Sequence, residues 1–323
     1  MREIKTTAII GMGALGMLYG DRILRNLGPE AVCFVADQDR IQKYRTMEFA
    51  VNGVRQQFPI VDSQEAGTAD LVIVAVKYNA LPSALDTMKG CVGPDTTIIS
   101  VMNGITSEEI IGERYGMDKL VYAIAQGMDA VKFGGELNYT RPGELRIGIP
   151  DRKKGPGTET KSAAETEPGN PVPSDRLESL TRFLTRAGIS YTVEEDILYR
   201  LWGKFMLNVG INQTCMAFET DYGGALEPGK AYDTLVGAMR ETMAVAHAEG
   251  ILLKEEDITS YIELIRTLSP TGMPSMRQDG IARRPSEVEM FSGALRKMAA
   301  KHGIPVPVND WLYERIRELE AEY

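Results

Sequence analysis

The spacing of hydrophobic positions changes near residue 195 and divides the chain into two parts. In the first part, short continuous apolar runs alternate with helical stretches; the runs cover residues 4–10, 32–36, 70–76 and 96–101, and the helical stretches cover 14–27, 81–88 and 108–115. Continuous apolar runs are typical of parallel strands that are buried on both faces. The first part is therefore predicted to be an α/β domain built on a doubly wound parallel sheet.

Two later strands, at 120–129 and 144–149, precede a long polar stretch at 151–173 that lacks large apolar residues. We predict a mobile surface insertion there. Ser174 then caps a predicted helix at 175–187, and a strand at 189–193 ends the first domain.

After residue 195 the pattern is helical throughout, with predicted helices at 197–218, 231–249, 257–268, 287–302 and 309–320. We therefore divide the chain into an α/β domain at 1–194 and an all-helical domain at 195–323. An α/β half followed by a helical half is typical of a cofactor domain followed by a substrate domain, with the site in the cleft.

Composition narrows the class of partner. The chain has 323 residues and a net charge of −9, from 36 Lys and Arg against 45 Asp and Glu. An acidic chain is a poor match for nucleic acid, which binds clustered positive charge, so a small-molecule partner is expected. Cys33, Cys91 and Cys215 are widely separated, which predicts neither a disulfide framework nor a zinc site and fits a reducing cytoplasm. We expect no membrane span and no export segment before the first strand.

A glycine-rich loop follows the first predicted strand directly. It reads Gly11-Met12-Gly13-Ala14-Leu15-Gly16, which is a G-x-G-x-x-G pattern. In this pattern the first glycine makes a tight turn, the second lets backbone amides approach a pyrophosphate, and the third lets the following helix pack closely. The loop alone is a weak signal, but its place between a strand and a helix predicts a Rossmann-type dinucleotide site.

Two further candidates follow predicted strands of the same domain. Lys77 comes just after the run that ends at Val76, and Asn103 comes just after the run that ends at Val101. Ligands of open α/β sheets bind at the carboxyl ends of the strands, which favours a role in the site. Ordinary turn chemistry is the alternative explanation for both residues.

The first long helix of the second part carries Lys204, Asn208 and Asn212 four residues apart, so all three share one face. A solvated stripe is the common explanation for such spacing. The neighbouring positions of this helix are mostly large and apolar, however, which indicates a stripe that lines a cavity. An ammonium group can donate a proton, and amides can both donate and accept hydrogen bonds to a substrate.

A second polar cluster extends from Ser275 to Glu287. Glu287 either is a site carboxylate or belongs to the first turn of a helix capped by Ser286. The two histidines, His247 and His302, lie near no motif, so a histidine proton relay is disfavoured and lysine is the preferred acid.

With these motifs in place, the chain resembles the ketopantoate reductase (2-dehydropantoate 2-reductase) family along both domains. The specific parts are Trp202-x-Lys204-x-x-x-Asn208-x-x-x-Asn212 and Ser275-Met276-x-Gln278-Asp279 running on to Arg284-Pro285-Ser286-Glu287. The resemblance implies reduction of ketopantoate to pantoate, a step of pantothenate and coenzyme A biosynthesis, by hydride transfer from NADP(H). It also implies the site roles: Lys204 is the general acid, Asn208, Asn212 and Ser275 hold the substrate, and Asn103 lies where cofactor and substrate meet. By the same resemblance, Glu287 orients the site as a catalytic residue that also contacts the cofactor.

One residue departs from the family pattern. Asp37 stands at the end of the second strand, where NADPH-using members commonly have an arginine. An acid there accepts hydrogen bonds from a ribose 2′-hydroxyl and repels a 2′-phosphate, which favours NAD(H). Arg40 and Lys77 leave NADP(H) possible, and the usual preference of the family is NADP(H), so the choice stays open at this stage.

Two alternatives to ketopantoate reduction also stay open. One is a reductase of the same architecture that acts on another branched 2-oxo acid, and the other is a redox sensor that binds a dinucleotide without turnover. The intact lysine and asparagine stripe counts against a sensor, which needs no proton donor. The apolar helices of the second part could support a homodimer.

Overall fold

The computed structural model describes residues 3–150 and 174–323, so the predicted insertion at 151–173 lies outside the described residues. The described residues form two compact units. The first contains residues 3–150 and 174–197, and the second contains residues 198–323. Among the described residues, no helix has the length and hydropathy required to cross a membrane.

The first unit alternates strands and helices along the chain. Its elements are β1 (Thr7–Ile10), α1 (Ala14–Leu27), β2 (Val32–Ala36), α2 (Gln38–Arg45), β3 (Phe49–Val51), β4 (Val54–Gln56), β5 (Ile60–Asp62), β6 (Leu71–Val74), α3 (Leu81–Thr87), β7 (Thr97–Ser100), α4 (Ser107–Tyr115), β8 (Tyr122–Met128), β9 (Val131–Phe133), β10 (Glu136–Asn138), β11 (Pro142–Gly148), α5 (Ser174–Arg186) and β12 (Tyr191–Val193).

A parallel five-stranded sheet in the order β5-β2-β1-β6-β7 forms the centre of this unit. Strands β1, β6 and β7 of this sheet are buried at every position. One face packs into an apolar cluster that includes Ile9 and Phe34, and the other into a cluster that includes Ile10 and Val72. Burial of both faces is why these strands read as continuous apolar runs. The predicted doubly wound parallel sheet is therefore confirmed.

Two smaller sheets complete the first unit. One has the order β4-β3-β10-β9, and the other has the order β12-β11-β8, in which β8 is antiparallel to β11. The sequence pattern predicts β8, β11 and β12 but none of the four strands of the other small sheet. Those strands have three residues each, and their outward positions include Phe133, which is 87% exposed.

The second unit is helical, as predicted. Its helices are α6 (Ile197–Ala217), which begins at the boundary between the units, α7 (Tyr222–Leu226), α8 (Lys230–Ala248), α9 (Glu255–Arg266), α10 (Ser275–Ile281), α11 (Ala294–His302) and α12 (Pro307–Glu320). A π-helical turn at Glu289–Gly293 leads directly into α11. The predicted helix at 287–302 is therefore two structures, a π-turn and an α-helix.

Candidate functional site

The glycine loop that follows β1 is packed too closely for side chains at two of its three glycines. Gly11 has a φ of +108°, and a Cβ on it would lie 2.6 Å from the carbonyl oxygen of Ala75, just after β6. A Cβ on Gly16 would lie 2.0 Å from the carbonyl oxygen of Gly11. The positive φ of Gly11 fits the tight turn predicted for the first glycine, and the close approach of Gly16 to Gly11 fits the close helix packing predicted for the third.

Gly13 serves a different purpose. It is the N-cap of α1 in an extended conformation, and a Cβ on it would lie 3.6 Å from the nearest other atom, which is ordinary contact. Packing therefore does not require glycine here. The missing side chain instead leaves the first amides of α1 open to an approaching group. Such a helix start carries partial positive charge and fits a pyrophosphate.

The remaining loop residues contribute backbone rather than side chains. Met12 is 6% exposed and belongs to the apolar core, and Ala14 and Leu15 pack against that core. Their side chains therefore anchor the loop, while the amides of Ala14 and Leu15 belong to the first turn of α1.

The other predicted cofactor residues lie at the same edge of the sheet. The register pairs Ile10 with Val35 and with Val74, and Val74 with Ser100, so the strands end side by side. Asp37 directly follows β2. Lys77 follows β6 and is exposed, and Asn103 follows β7 and is half-buried. The structure thus places these three residues along the edge where the glycine loop lies.

Asp37 caps α2. Its Oδ1 accepts a hydrogen bond of 2.9 Å from the backbone amide of Arg40, and its Oδ2 lies 3.8 Å from Arg40 Nε. The Asp37 side chain is 44% exposed. One carboxylate oxygen is thus committed to the helix, and the other faces an exposed guanidinium group.

A buried polar chain beneath the Asn103 loop is absent from the sequence prediction. Ser100 Oγ lies 2.8 Å from Ser107 Oγ, which donates to Glu108 Oε2 at 2.8 Å, and all three residues are almost fully buried. The Met102 amide donates to Ser100 Oγ at 3.4 Å. These bonds connect the end of β7 to the first turn of α4, which brackets Asn103. Serine and glutamate at a helix start resemble ordinary capping residues, so the sequence carries little signal for this role.

In the second unit, the predicted substrate residues lie on one face of α6. Asn212 Nδ2 donates to Asn208 Oδ1 at 3.3 Å. Asn212 Oδ1 accepts from Ser275 Oγ and from the Met276 amide, each at 3.3 Å. The three residues predicted to hold a substrate therefore form a continuous hydrogen-bonded chain. Asn212 is 5% exposed, and Ser275 is exposed at the start of α10.

Lys204 lies one helical turn before Asn208 and is half-buried. Its neighbours fix the helix in the core: Trp202 and Phe205 are buried and meet edge to face with ring centroids 5.9 Å apart. This packing supports the prediction that α6 is too apolar to lie at the periphery.

The predicted segment from Ser275 to Glu287 is a short helix followed by a fixed turn. Arg284 donates from Nε to Asp279 Oδ1 at 2.9 Å, and its amide donates to the Asp279 carbonyl at 2.9 Å. Ser286 Oγ accepts a hydrogen bond of 3.2 Å from the Val288 amide, a capping-type bond that precedes the π-turn at Glu289–Gly293 and not a regular α-helix. The Glu287 carbonyl accepts from the amides of Met290 and Phe291, at the entrance to the π-turn.

The histidines and cysteines are consistent with structural roles. His247 Nε2 lies 2.6 Å from the Leu253 carbonyl, and His302 Nε2 lies 2.6 Å from Glu249 Oε1. Burial raises the pKa of both Cys91 and Cys215 to about 12, so these thiols stay protonated at neutral pH. Protonated buried thiols are poor nucleophiles.

The structure therefore brings part of the predicted set together within each unit. Those assigned to a cofactor share one sheet edge of the first unit, and three of those assigned to a substrate are hydrogen-bonded in the second. Glu287 follows Ser275 along the chain, between α10 and the π-turn.

Known proteins match both units. Residues 7–152 match the family model described as ketopantoate reductase PanE/ApbA, and residues 196–320 match its C-terminal counterpart. The 2-dehydropantoate 2-reductase of Streptococcus pyogenes serotype M6 is 24% identical over 318 residues, which cover 97% of each chain.

Solved structures of this fold match along almost the whole chain. A PanE/ApbA family ketopantoate reductase from Ralstonia eutropha JMP134 has a TM-score of 0.79 at 22% identity, with coverage of 98% of this chain and 99% of its own. D-mandelate dehydrogenase in complex with NADH has a TM-score of 0.82 at 22% identity and the same coverage. Together with the two family models, these matches show that the chain belongs to the ketopantoate reductase family of oxidoreductases.

Proposed function

We propose that this protein reduces ketopantoate to pantoate, using residues 1–194 to bind a nicotinamide dinucleotide and residues 195–323 to bind the keto acid. The observation that carries the proposal is the hydrogen-bonded set of Asn208, Asn212 and Ser275, one helical turn from Lys204. A set of amides and a hydroxyl beside an ammonium group suits a small acid that bears hydroxyl and carbonyl oxygens.

The glycine loop fits the dinucleotide, because its cradle at Gly11 and Gly16 excludes side chains while Gly13 leaves the amides of α1 open. Asn103 and Lys77 lie at the same edge and would bind the nucleotide beyond the pyrophosphate. When bound, a reduced nicotinamide supplies a hydride to the keto carbon.

The protein's own part in the chemistry is to place the carbonyl and to supply a proton. The amides of Asn208 and Asn212 hold the hydroxyl and carboxylate oxygens of the acid, and Glu287 orients the site. Negative charge develops on the carbonyl oxygen as the reaction proceeds, and Lys204 Nζ stabilises that charge and donates its proton to the alkoxide. A preplaced donor of this kind typically contributes about 100-fold in rate.

We further propose NADH as the preferred nucleotide, in place of the NADP(H) that the family resemblance implies. The electrostatic repulsion between a carboxylate and a phosphate about 4 Å apart is about 1 kcal/mol in water and about 4 kcal/mol near a protein surface. This repulsion disfavours a 2′-phosphate beside Asp37. The Asp37→Asn variant tests this, because asparagine caps a helix as well as aspartate and only the charge is lost. We expect the ratio of kcat/KM for NADPH to that for NADH to rise about tenfold or more.

Asp39→Asn is the matched control for this variant, since Asp39 is an exposed acid on the same helix. Its nucleotide ratio should stay at the wild-type value. A wild-type enzyme that prefers NADPH, or an Asp37→Asn variant with an unchanged ratio, would remove Asp37 from the role of selecting NADH.

The main test of the function is nucleotide oxidation, followed by absorbance, with ketopantoate and with other branched or aromatic 2-oxo acids in parallel. Lys204→Ala should lower kcat about 100-fold while the nucleotide binds as before. Lys297→Ala is the control, because Lys297 is an exposed lysine on α11. Asn208→Ala should mainly raise the KM for the acid.

The outcomes separate the candidates. Faster turnover of an aromatic 2-oxo acid than of ketopantoate would favour the second candidate, a reductase of another 2-oxo acid. Aromatic 2-oxo acids are included in the assay because the chain shares its fold with D-mandelate dehydrogenase. Nucleotide binding without turnover of any acid would support the redox sensor instead, and near-normal turnover by Lys204→Ala would remove this residue from the acid role.

A further inference from the structure

A polar network of three fully buried residues and one half-buried glutamate lies in the second unit, on the side of α6 next to Asn212. Its members are Gln213, Ser292 and Asn309, each 0% exposed, together with Glu241. Buried amides of this kind are costly unless every donor and acceptor has a partner. Partners of these amides lie in the π-turn that follows Glu287.

Gln213 connects α6 to the π-turn. Its Oε1 accepts a hydrogen bond of 3.2 Å from the backbone amide of Ser292, and its Nε2 donates to the Val209 carbonyl at 2.9 Å and to Asn309 Oδ1 at 3.4 Å. In the π-turn the Gly293 amide bonds to the carbonyl of Val288, five residues back. The Gln213 side chain therefore binds a main-chain amide of the turn directly, whatever the side chain at position 292 is.

Asn309 completes the network from the start of α12. Its Oδ1 accepts from Ser292 Oγ at 3.2 Å, and its Nδ2 donates to Glu241 Oε2 at 2.8 Å and to the Ala238 carbonyl at 3.3 Å. Glu241 also accepts from the amides of Val308 and Asn309 at 2.8 and 2.9 Å. The network thus fixes α6, α8, α12 and the π-turn to one another with its amide groups fully used.

The position of Gln213 on α6 gives this network a role in the site. It directly follows Asn212, which holds Ser275 and the start of α10. The π-turn that Gln213 holds begins two residues after Glu287. Adjacent amides on one helix therefore fix the two segments that carry Ser275 and Glu287.

From this geometry we propose that Gln213 is a positioning residue of the reductase, which acts by holding the π-turn and thereby Glu287 in place against α6. The proposal rests on the proposed function, in which Glu287 orients the site. A displacement of about 1 Å in a group that orients a substrate can lower the rate about 100-fold.

The test is a set of three variants of the full-length protein. Gln213→Met removes the hydrogen bonds and keeps the approximate volume, and we expect kcat/KM for the 2-oxo acid to fall about 10- to 100-fold while the KM for the nucleotide changes less than about twofold. Ser292→Ala keeps the main-chain amide that Gln213 binds, so its loss should be much smaller. Thr214→Val is the matched control, because Thr214 is fully buried on the same helix and its hydroxyl has no hydrogen-bond partner among the described residues.

A double variant separates positioning from general stability. If Gln213 acts through Glu287, the kcat/KM of Gln213→Met/Glu287→Gln should equal that of Glu287→Gln alone, whereas independent effects would multiply. All rates are compared well below the thermal midpoint of each variant. Gln213→Met with a lower thermal midpoint but a wild-type kcat/KM would overturn the proposal, and so would multiplicative losses.

Amide hydrogen exchange gives a readout that does not need turnover. We expect residues 287–293 to exchange about tenfold faster in Gln213→Met and at the wild-type rate in Thr214→Val. A wild-type protein that reduces no 2-oxo acid would refute the proposed function. Unchanged exchange at 287–293 in Gln213→Met would refute the positioning role of Gln213, whether or not the protein turns over a 2-oxo acid.

Discussion

Replacing Gly16 by alanine tests whether close packing of α1 on the loop creates the dinucleotide site. The added Cβ would lie 2.0 Å from the carbonyl oxygen of Gly11 and 3.1 Å from its carbonyl carbon. Non-bonded heavy atoms pack at roughly 3.5–4.0 Å, so the helix and the loop must separate by more than about 1 Å. Both partners are backbone atoms, so no side-chain rotation can relieve the clash.

The cost follows from the same geometry. Overpacking that side chains absorb usually costs about 1–3 kcal/mol, and a clash between backbone atoms belongs at or above the top of that range. We therefore expect Gly16→Ala to lower the free energy of unfolding by about 3 kcal/mol or more. For a unit of this size, each kcal/mol lowers the thermal midpoint by about 2–4 °C, which gives a decrease of about 6 °C or more.

Two other glycines supply the controls. A Cβ on Gly13 makes only ordinary contact at 3.6 Å, so Gly13→Ala should keep the thermal midpoint within a few degrees. It should still weaken nucleotide binding about tenfold or more, because the methyl group obstructs the approach of the nucleotide to the α1 amides. Gly67 is exposed, and a Cβ on it would meet nothing within 4 Å, so Gly67→Ala should change neither quantity.

The assay combines thermal denaturation with titration of NADH by its fluorescence. The expected order is loss of stability and binding in Gly16→Ala, loss of binding alone in Gly13→Ala, and loss of neither in Gly67→Ala. A Gly16→Ala protein with the wild-type midpoint and wild-type affinity would refute the reasoning about close packing. A Gly13→Ala protein that binds NADH normally would show that the start of α1 does not hold the pyrophosphate.

Two further predictions concern pH. The Thr140 hydroxyl and neighbouring backbone amides donate hydrogen bonds to Asp129 and lower its pKa to about 2. Asp129→Asn should therefore lower the free energy of unfolding by about 1 kcal/mol at neutral pH. In urea titrations this difference from the wild type should vanish as the pH falls from about 4 towards 2. Burial alone would raise the pKa of Glu249, but hydrogen bonds from Lys301 and His302 hold it below its usual range. Glu249→Gln should therefore have a lower free energy of unfolding than the wild type above about pH 4.5, and this difference should disappear as the pH falls through the lowered pKa. A difference that does not depend on pH would contradict this.

The large features of the fold could be predicted from the sequence because burial imposes a pattern on it. Strands β1, β2, β6 and β7 are confirmed, since parallel strands covered on both faces need an apolar residue at almost every position. The small sheet of β3, β4, β9 and β10 is not predicted, because strands of three residues with outward faces have too few positions to show a period. The π-turn at Glu289–Gly293 is missed for a related reason: its apolar residues continue the spacing of the helix that follows.

Site residues could be predicted as far as their chemistry differs from that of their surroundings. The stripe of Asn208 and Asn212 stands out because the rest of α6 is apolar, and the structure joins both residues to Ser275. The buried pair of Ser100 and Ser107 does not stand out, since serine near a helix start is common for capping alone. Their position beneath the Asn103 loop depends on the pairing of distant strands, which no local pattern encodes.

The adjacent amides Asn212 and Gln213 show why residue type alone cannot assign a role on α6. Successive residues of a helix point about 100° apart, so Asn212 faces Ser275 while Gln213 faces the π-turn. Both are buried and hydrogen-bonded, and by residue type alone either is a candidate for binding substrate. The partners decide between them: Asn212 binds an exposed hydroxyl at the start of α10, whereas Gln213 binds only groups inside the core. We therefore infer that α6 presents the proposed substrate-binding amides on one face and, through Gln213 on the adjacent face, holds the segment that carries Glu287.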